Sequence, residues 1–281
     1  MSEFRISGFA DEISPEFSKQ IEGFKKLGIK NIEPRNIDGI NVSSLTAEKA
    51  KEVAKILKDN DMGVSSIGSP IGKQKITEDF GAHYELFLNT LDVAEILGTK
   101  RIRMFSFYLP EGEEAAYKKE IFRRMREFLD AAEKRGITLC HENEHGIYGD
   151  SPEKCLEIMK EFGGKIRSVF DPCNFVLDGF ESYPKAFGML NEYIEYMHIK
   201  DGDADNCICP AGMGIGGIPE ILKELKASGR GDMMLTIEPH LQVFSGLDKL
   251  SVNHEDLKRK YTYDSSFEAF TAAYEALKAC M

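Results

Sequence analysis

The chain has 281 residues, a net charge of −11, 42% hydrophobic residues and 30% charged residues. The acidic balance and the lack of any Lys/Arg cluster interleaved with aromatics argue against nucleic acid and anionic membranes as partners. No apolar run approaches the ~18 residues of a membrane span. The start, MSEFRISGFADE, has no signal-like apolar core, and the six cysteines form no CxxC pairs. They read as reduced thiols, so the expected compartment is the cytoplasm.

Short β-branched or apolar runs alternate with longer amphipathic stretches. The first run is 4–9, followed by a helix over 14–27 that Gly28 stops. The second run is 30–33, ending at Pro34, and a helix over 46–61 follows with Thr46 as its N-cap. Further strands are expected at 63–67, 101–105, 137–140, 166–170, 194–199 and 233–237. Helices are expected at 82–97, 113–135, 152–162, 183–190, 218–227 and 265–278. Gly98, Gly136 and Gly229 follow three of these helices, and Ser151 can cap another. Eight strand-then-helix units argue for a parallel sheet with crossover helices. At this length they favour one closed (β/α)8 barrel domain over 1–281 rather than an open doubly wound sheet. No GxGxxG turn follows the first strand. The Gly-rich stretch 212–217 lies after the seventh strand and lacks a P-loop Lys; it is either a substrate-facing loop or a plain flexible one. The stretch 241–263 reads as a surface loop or lid.

Catalytic groups of such barrels sit at the C-terminal ends of the strands. Here four successive strands end in metal-ligand types: Glu142 after the fifth, Asp171 after the sixth, His198 on the seventh and Glu238 after the eighth. Three carboxylates and an imidazole converging on one point repel unless a cation joins them. Oxygen ligands with one His suit Mn²⁺ first, with Mg²⁺, Co²⁺ or Zn²⁺ as alternatives, one ion per chain. Four protein ligands leave open positions for a bidentate substrate. The bland alternative is a network of helix caps and ion pairs.

The segments GFADEIS (8–14), IEPRNIDGINV (32–42), IGSPIGK (67–73), RIRMFSFY (101–108), LCHENEHGIYGD (139–150), FDPCNFV (170–176), HIKD (198–201) and TIEPH (236–240) resemble the sugar phosphate isomerase/epimerase group. That group lies within the xylose-isomerase-like barrels, and the resemblance covers essentially the whole chain. It implies that Glu142, Asp171, His198 and Glu238 hold the metal, and that Glu142 and Glu238 also exchange protons with substrate. The implied substrate is a small sugar, sugar phosphate or polyol, and the implied assembly is a homo-oligomer. Ketose 3-epimerases of the superfamily carry a His three residues after the sixth-strand Asp and an Arg six residues after the seventh-strand His. Here those positions are Asn174 and Ala204. Lys200 can supply a replacement charge, or pair with Asp201 or Glu238.

Other candidates for substrate contact are Arg35 and Arg103, which can bind a phosphate or carboxylate, or instead pair with Glu33 in the barrel. His145, His240 and Asn174 complete the set; Lys73 and an aromatic wall of Phe105, Phe107 and Tyr108 are weaker candidates. His141, next to Glu142, should point to the opposite face and pack in the core. Three rivals stand beside an isomerase. The same site could run a dehydratase or C-glycoside-cleaving reaction on a keto-inositol or keto-sugar. An endonuclease IV-like repair enzyme needs further His ligands where Ser69, Ser106 and Asn174 stand. A non-catalytic sugar binder would have no need of acids on both sides of the metal.

Overall fold

A computed structural model describes residues 4–242 and 261–281. Most of the expected loop at 241–263 lies outside the described residues. Eight parallel strands occur in chain order: β1 (Arg5–Gly8), β2 (Asn31–Ile32), β3 (Gly63–Val64), β4 (Arg101–Met104), β5 (Thr138–Glu142), β6 (Arg167–Phe170), β7 (Ile194–Ile199) and β8 (Met234–Ile237). Six of them form one sheet in the order β1-β8-β7-β6-β5-β4, and β2 pairs with β3 in parallel. Two junctions close the ring. The Glu33 N–H donates to Gly8 O at 3.1 Å, joining β2 to β1. Ile67, just past β3, pairs in parallel with Ile102 of β4. All eight strands expected from the alternation are therefore present, closed into a (β/α)8 barrel.

The helices are α1 (Phe17–Leu27), α2 (Ala47–Asp59), α3 (Phe80–Leu97), α4 (Glu114–Lys134), α5 (Pro152–Glu161), α6 (Pro172–Leu177), α7 (Phe187–Leu190), α8 (Ile218–Ala227) and α9 (Ser266–Cys280). In α1, Phe17, Ile21 and Phe24 are buried at helical spacing, and Phe24 meets Phe270 of α9 at 5.5 Å between ring centres. Each such large apolar side chain contributes roughly 1.5–3 kcal/mol. The expected caps form: Thr46 Oγ1 accepts from Lys49 N, Ser151 Oγ from Lys154 N, and Gly28 and Gly98 close their helices in the left-handed region.

The boundaries that differ have local causes. Helix α1 begins at Phe17, not at 14, because Pro15 holds Ser14 away from helical geometry. Asp79 caps α3 through Gly81 N, so that helix starts two residues before the expected 82. At 183–190 the chain first makes a wide π-type turn over Ser182–Ala186, with a cis Tyr183–Pro184 bond, and only then enters α7. Short hairpins at Asn36–Ile37 with Ile40–Asn41, and at Asp201–Gly202 with Ile208–Cys209, decorate the barrel; so does α6, and none of these was expected from periodicity.

Inside the barrel, Cys140, Val169, Tyr196 and Met234 pack as their own apolar cluster. Strand side chains alternate with period two, so the next inward positions along β5, β6 and β7 are Glu142, Asp171 and His198. On β8 the same face carries Met234, then Thr236, then Glu238. The apolar layer is thus the floor of a polar site at the C-terminal ends of the strands.

Candidate active site

The four sequence-derived ligand residues converge. One ligand atom from each of Glu142, Asp171, His198 and Glu238 lies within 4.8 Å of the others, and all four residues are buried. His198 Nδ1 stands 2.8 Å from Glu142 Oε1 and 3.4 Å from Glu238 Oε2. Its Nε2 points to Glu33 Oε1 at 3.4 Å. Glu33 in turn accepts hydrogen bonds from Tyr196 Oη and Thr236 Oγ1, both at 2.8 Å. A carboxylate behind the imidazole fixes which nitrogen faces the cluster.

Asp171 stands at the N-cap of α6, its Oδ1 accepting from Asn174 N at 3.0 Å. Asn143 clamps the same backbone: its Oδ1 accepts from Asp171 N at 3.0 Å and its Nδ2 donates to Asp171 O at 2.9 Å. The Asn174 amide donates to Asn143 O at 2.9 Å, so this side chain braces the clamp. Asp171 Oδ2 is buried and lies 3.1 Å from Lys200 Nζ, yet accepts no well-aligned hydrogen bond from the described residues.

Three buried cations surround the acids. Arg35 forks onto Asp11, with Nε to Oδ2 at 2.9 Å and Nη2 to Oδ1 at 3.1 Å, and also reaches Glu12 at 3.2 Å and Glu238 Oε1 at 3.1 Å. Arg103 donates to Glu142 Oε2 and to Gly68 O, both at 3.2 Å. Lys200 Nζ spans Asp171 and Glu238 at 3.1 and 3.3 Å. Phe9 lies beneath both guanidinium groups, 4.4 Å from Arg35 and 5.0 Å from Arg103. Glu33 therefore serves His198, while Arg35 finds its carboxylates on the turn after β1. Asp11 and Glu12 carry no periodic signal. Their place just after the first strand, within the GFADEIS segment, was the sequence clue to them.

Electrostatics follow from this packing. Burial would lower the His198 imidazole, but Glu142 and Glu33 outweigh it and hold it well above its usual range. Burial opposes ionisation of Glu142, but His198 and Arg103 bring it down to about 2. Burial raises Asp171 to about 7 against the pull of Lys200, and raises Glu12 to about 8 against Arg35.

The remaining candidates sit at the rim. His240, with φ +48°, donates its N–H to Glu12 Oε2 at 2.8 Å and places Nε2 3.4 Å from Glu238 Oε1. His145 is exposed and pairs with Asp178 through Nδ1 at 2.6 Å. Lys73 pairs with Glu144 at 2.8 Å and lies over the Phe105 ring. His141 faces away from the cluster and bonds Ser106 Oγ at 2.9 Å, the core role expected of it. The Gly-rich loop wraps Asp201, whose carboxylate accepts from the N–H groups of Gly202, Gly212, Gly214 and Gly216 at 2.9–3.2 Å. A Cβ on Gly216 would meet Asp201 Oδ1 at 2.6 Å and Pro172 Cβ at 3.0 Å, so the loop's glycines allow a close approach to the start of α6.

The donor set fits a divalent ion: three carboxylates and one oriented imidazole, buried together, with Asp171 Oδ2 short of a hydrogen-bond donor. No described helix is long and apolar enough to cross a membrane.

No curated protein sequence matches the chain. Among solved structures, D-allulose 3-epimerase from Methylomonas sp. in complex with D-allulose superposes with a TM-score of 0.75 at 17% identity, covering 100% of this chain and 98% of that one. The probable 3-DHS dehydratase AsbF of Bacillus anthracis gives 0.74 at 16% identity, covering 98% and 99%. A xylose isomerase-like TIM barrel protein from Mycobacterium smegmatis in complex with magnesium gives 0.67 at 16% identity, covering 100% and 97%. These likenesses show a shared fold. A family model described as Xylose isomerase-like TIM barrel matches residues 21–256, and the chain belongs to that family.

Proposed function

We propose that this protein is a metal-dependent sugar isomerase or epimerase, moving a proton at a carbon next to a carbonyl. The observation that carries the reading is the convergence of Glu142, Asp171, His198 and Glu238 from four consecutive strands. These four residues would hold one divalent ion, Mn²⁺ in the first instance, with Mg²⁺, Co²⁺ or Zn²⁺ as alternatives. When bound, the ion supplies Lewis acidity and neutralises the charge that builds on substrate oxygens as the proton leaves.

The chain's own residues supply the rest. Glu142 and Glu238 are the proton-exchanging groups, from strands β5 and β8 that lie three places apart around the sheet. Arg103 anchors one oxygen of Glu142 and Arg35 one oxygen of Glu238, so neither carboxylate can swing away. Glu33 orients His198, and Asn143 with Asn174 fixes the Asp171 backbone. Lys200 sets its charge against Asp171 and Glu238.

A second reading, a dehydratase or related lyase on a keto-inositol or keto-sugar, is favoured by one observation. Asn174 and Ala204 stand where the ketose 3-epimerases carry His and Arg, and the Asn174 amide is engaged with Asn143. The test is solvent-deuterium incorporation into a panel of ketoses and keto-inositols, with product analysis for water loss. Metal-dependent exchange lost in Glu142→Gln and Glu238→Gln supports the site; exchange without elimination selects the isomerase. Equal exchange in the chelated protein would sink the proposal.

A further inference from the structure

Resting on that metal-site reading, we infer that the substrate is an uncharged polyol or keto-sugar, and that phosphate esters and carboxylates are rejected by the charge of the site itself. Among the described residues, six buried carboxylates stand at the C-terminal end of the barrel, Asp11, Glu12, Glu33, Glu142, Asp171 and Glu238, apart from Asp201, which loop N–H groups hold. Against them, among the described residues, stand the permanent cations Arg35, Arg103 and Lys200, with the His198 imidazole counted as neutral once it ligates the ion. Three negative charges are in excess, and a divalent ion leaves one. Protonating one of the six would bring the balance only to zero, so the loaded pocket gains no positive surplus from these residues.

The cations are also committed in direction. Arg35 donates to Asp11 through two nitrogens, to Glu12 and to Glu238. Arg103 donates to Glu142 and to the carbonyls of Gly68 and Ser69. Lys200 bridges Asp171 and Glu238. At the rim, Lys73 is neutralised by Glu144. A phosphate drawing on any of these would have to break a buried ion pair, leaving a carboxylate in low dielectric without its partner. The Asp201 carboxylate occupies the N–H groups of the Gly-rich loop, so that anion-binding device is already filled. What the site does offer is acceptors and fixed donors, which suit hydroxyl and carbonyl groups.

The experiment uses the full chain loaded with Mn²⁺ and two independent arms. In the first, a free ketose and its terminal phosphate ester are compared for solvent-proton exchange; the free sugar should be favoured by at least ~100-fold in kcat/KM, because the ester can draw on a cation only by breaking a buried ion pair. Preference for the ester would overturn the inference while leaving the proposed function standing. In the second, sulfate is titrated calorimetrically into the loaded and the metal-free protein at constant ionic strength. No saturable heat at millimolar sulfate is the expected result. Saturable binding in either form would overturn the inference. If neither sugar exchanges a proton, the sulfate arm still decides the charge argument.

Discussion

Lys200→Met tests the counter-charge role of this side chain. The Nζ lies between two ligand carboxylates, 3.1 Å from Asp171 and 3.3 Å from Glu238, and the residue is 5% exposed. Methionine keeps most of the volume and removes the charge. In the metal-free protein two buried carboxylates then lose a shared cation, and breaking such a pair costs about 3–5 kcal/mol. For a chain of this size that corresponds to a Tm lower by roughly 6–12 °C. In the loaded protein a divalent ion would neutralise the same two carboxylates, so most of the loss should be restored. Thermodynamic linkage then requires tighter metal binding, with a ceiling of about 100-fold for ~3 kcal/mol. The assay is a competitive metal titration with a chromophoric chelator, alongside melting curves with and without metal. The metal-induced rise in Tm should be larger in the variant than in the parent. Weaker metal binding with an unchanged metal-free Tm would refute the reasoning, since it would mean that Lys200 does not compensate the acids.

Three other outcomes rest on particular contacts. Glu33→Gln, behind His198 and held by Tyr196 and Thr236, should weaken metal affinity by about 10–100-fold with the fold retained; unchanged affinity by the same titration would count against its orienting role. Gly216→Ala places a methyl group against Asp201 and Pro172, so chemical denaturation should show a loss of about 1–3 kcal/mol, and parental stability would mean that the loop accommodates the methyl. Burial lowers His83 to about 4, and its Nε2 accepts from Gly72 N. The unfolded chain therefore binds the proton first, and stability present above pH 6.5 is lost as pH falls towards 4. His83→Asn should flatten that decline, on the order of 2 kcal/mol across the interval, and a slope equal to the parent's would assign the acid sensitivity to other groups.

The barrel and the four convergent ligands were legible because both are periodic facts. Strand–helix alternation counts units, and the last inward residue of each of the later strands is fixed by the period of two. The residues that hold those ligands were not legible in the same way. Glu33 was visible as a barrel acid, but strand alternation alone paired it with Arg35. The turn after β1 changes that pairing by bringing Asp11 and Glu12 to the guanidinium, which releases Glu33 to His198. Likewise the clamp of Asn143 and Asn174 on Asp171 joins residues 28 and 31 positions apart through backbone atoms. No side-chain pattern encodes it, because any residue supplies the carbonyl and only the fold brings the amide to it. Local sequence therefore specifies which groups face the pocket, whereas their charge balance and orientation depend on loops that no period describes. The selectivity inferred for this site lives in that second layer: two chains with the same four ligands can differ in substrate charge through nothing more than the acids carried by the turn after the first strand.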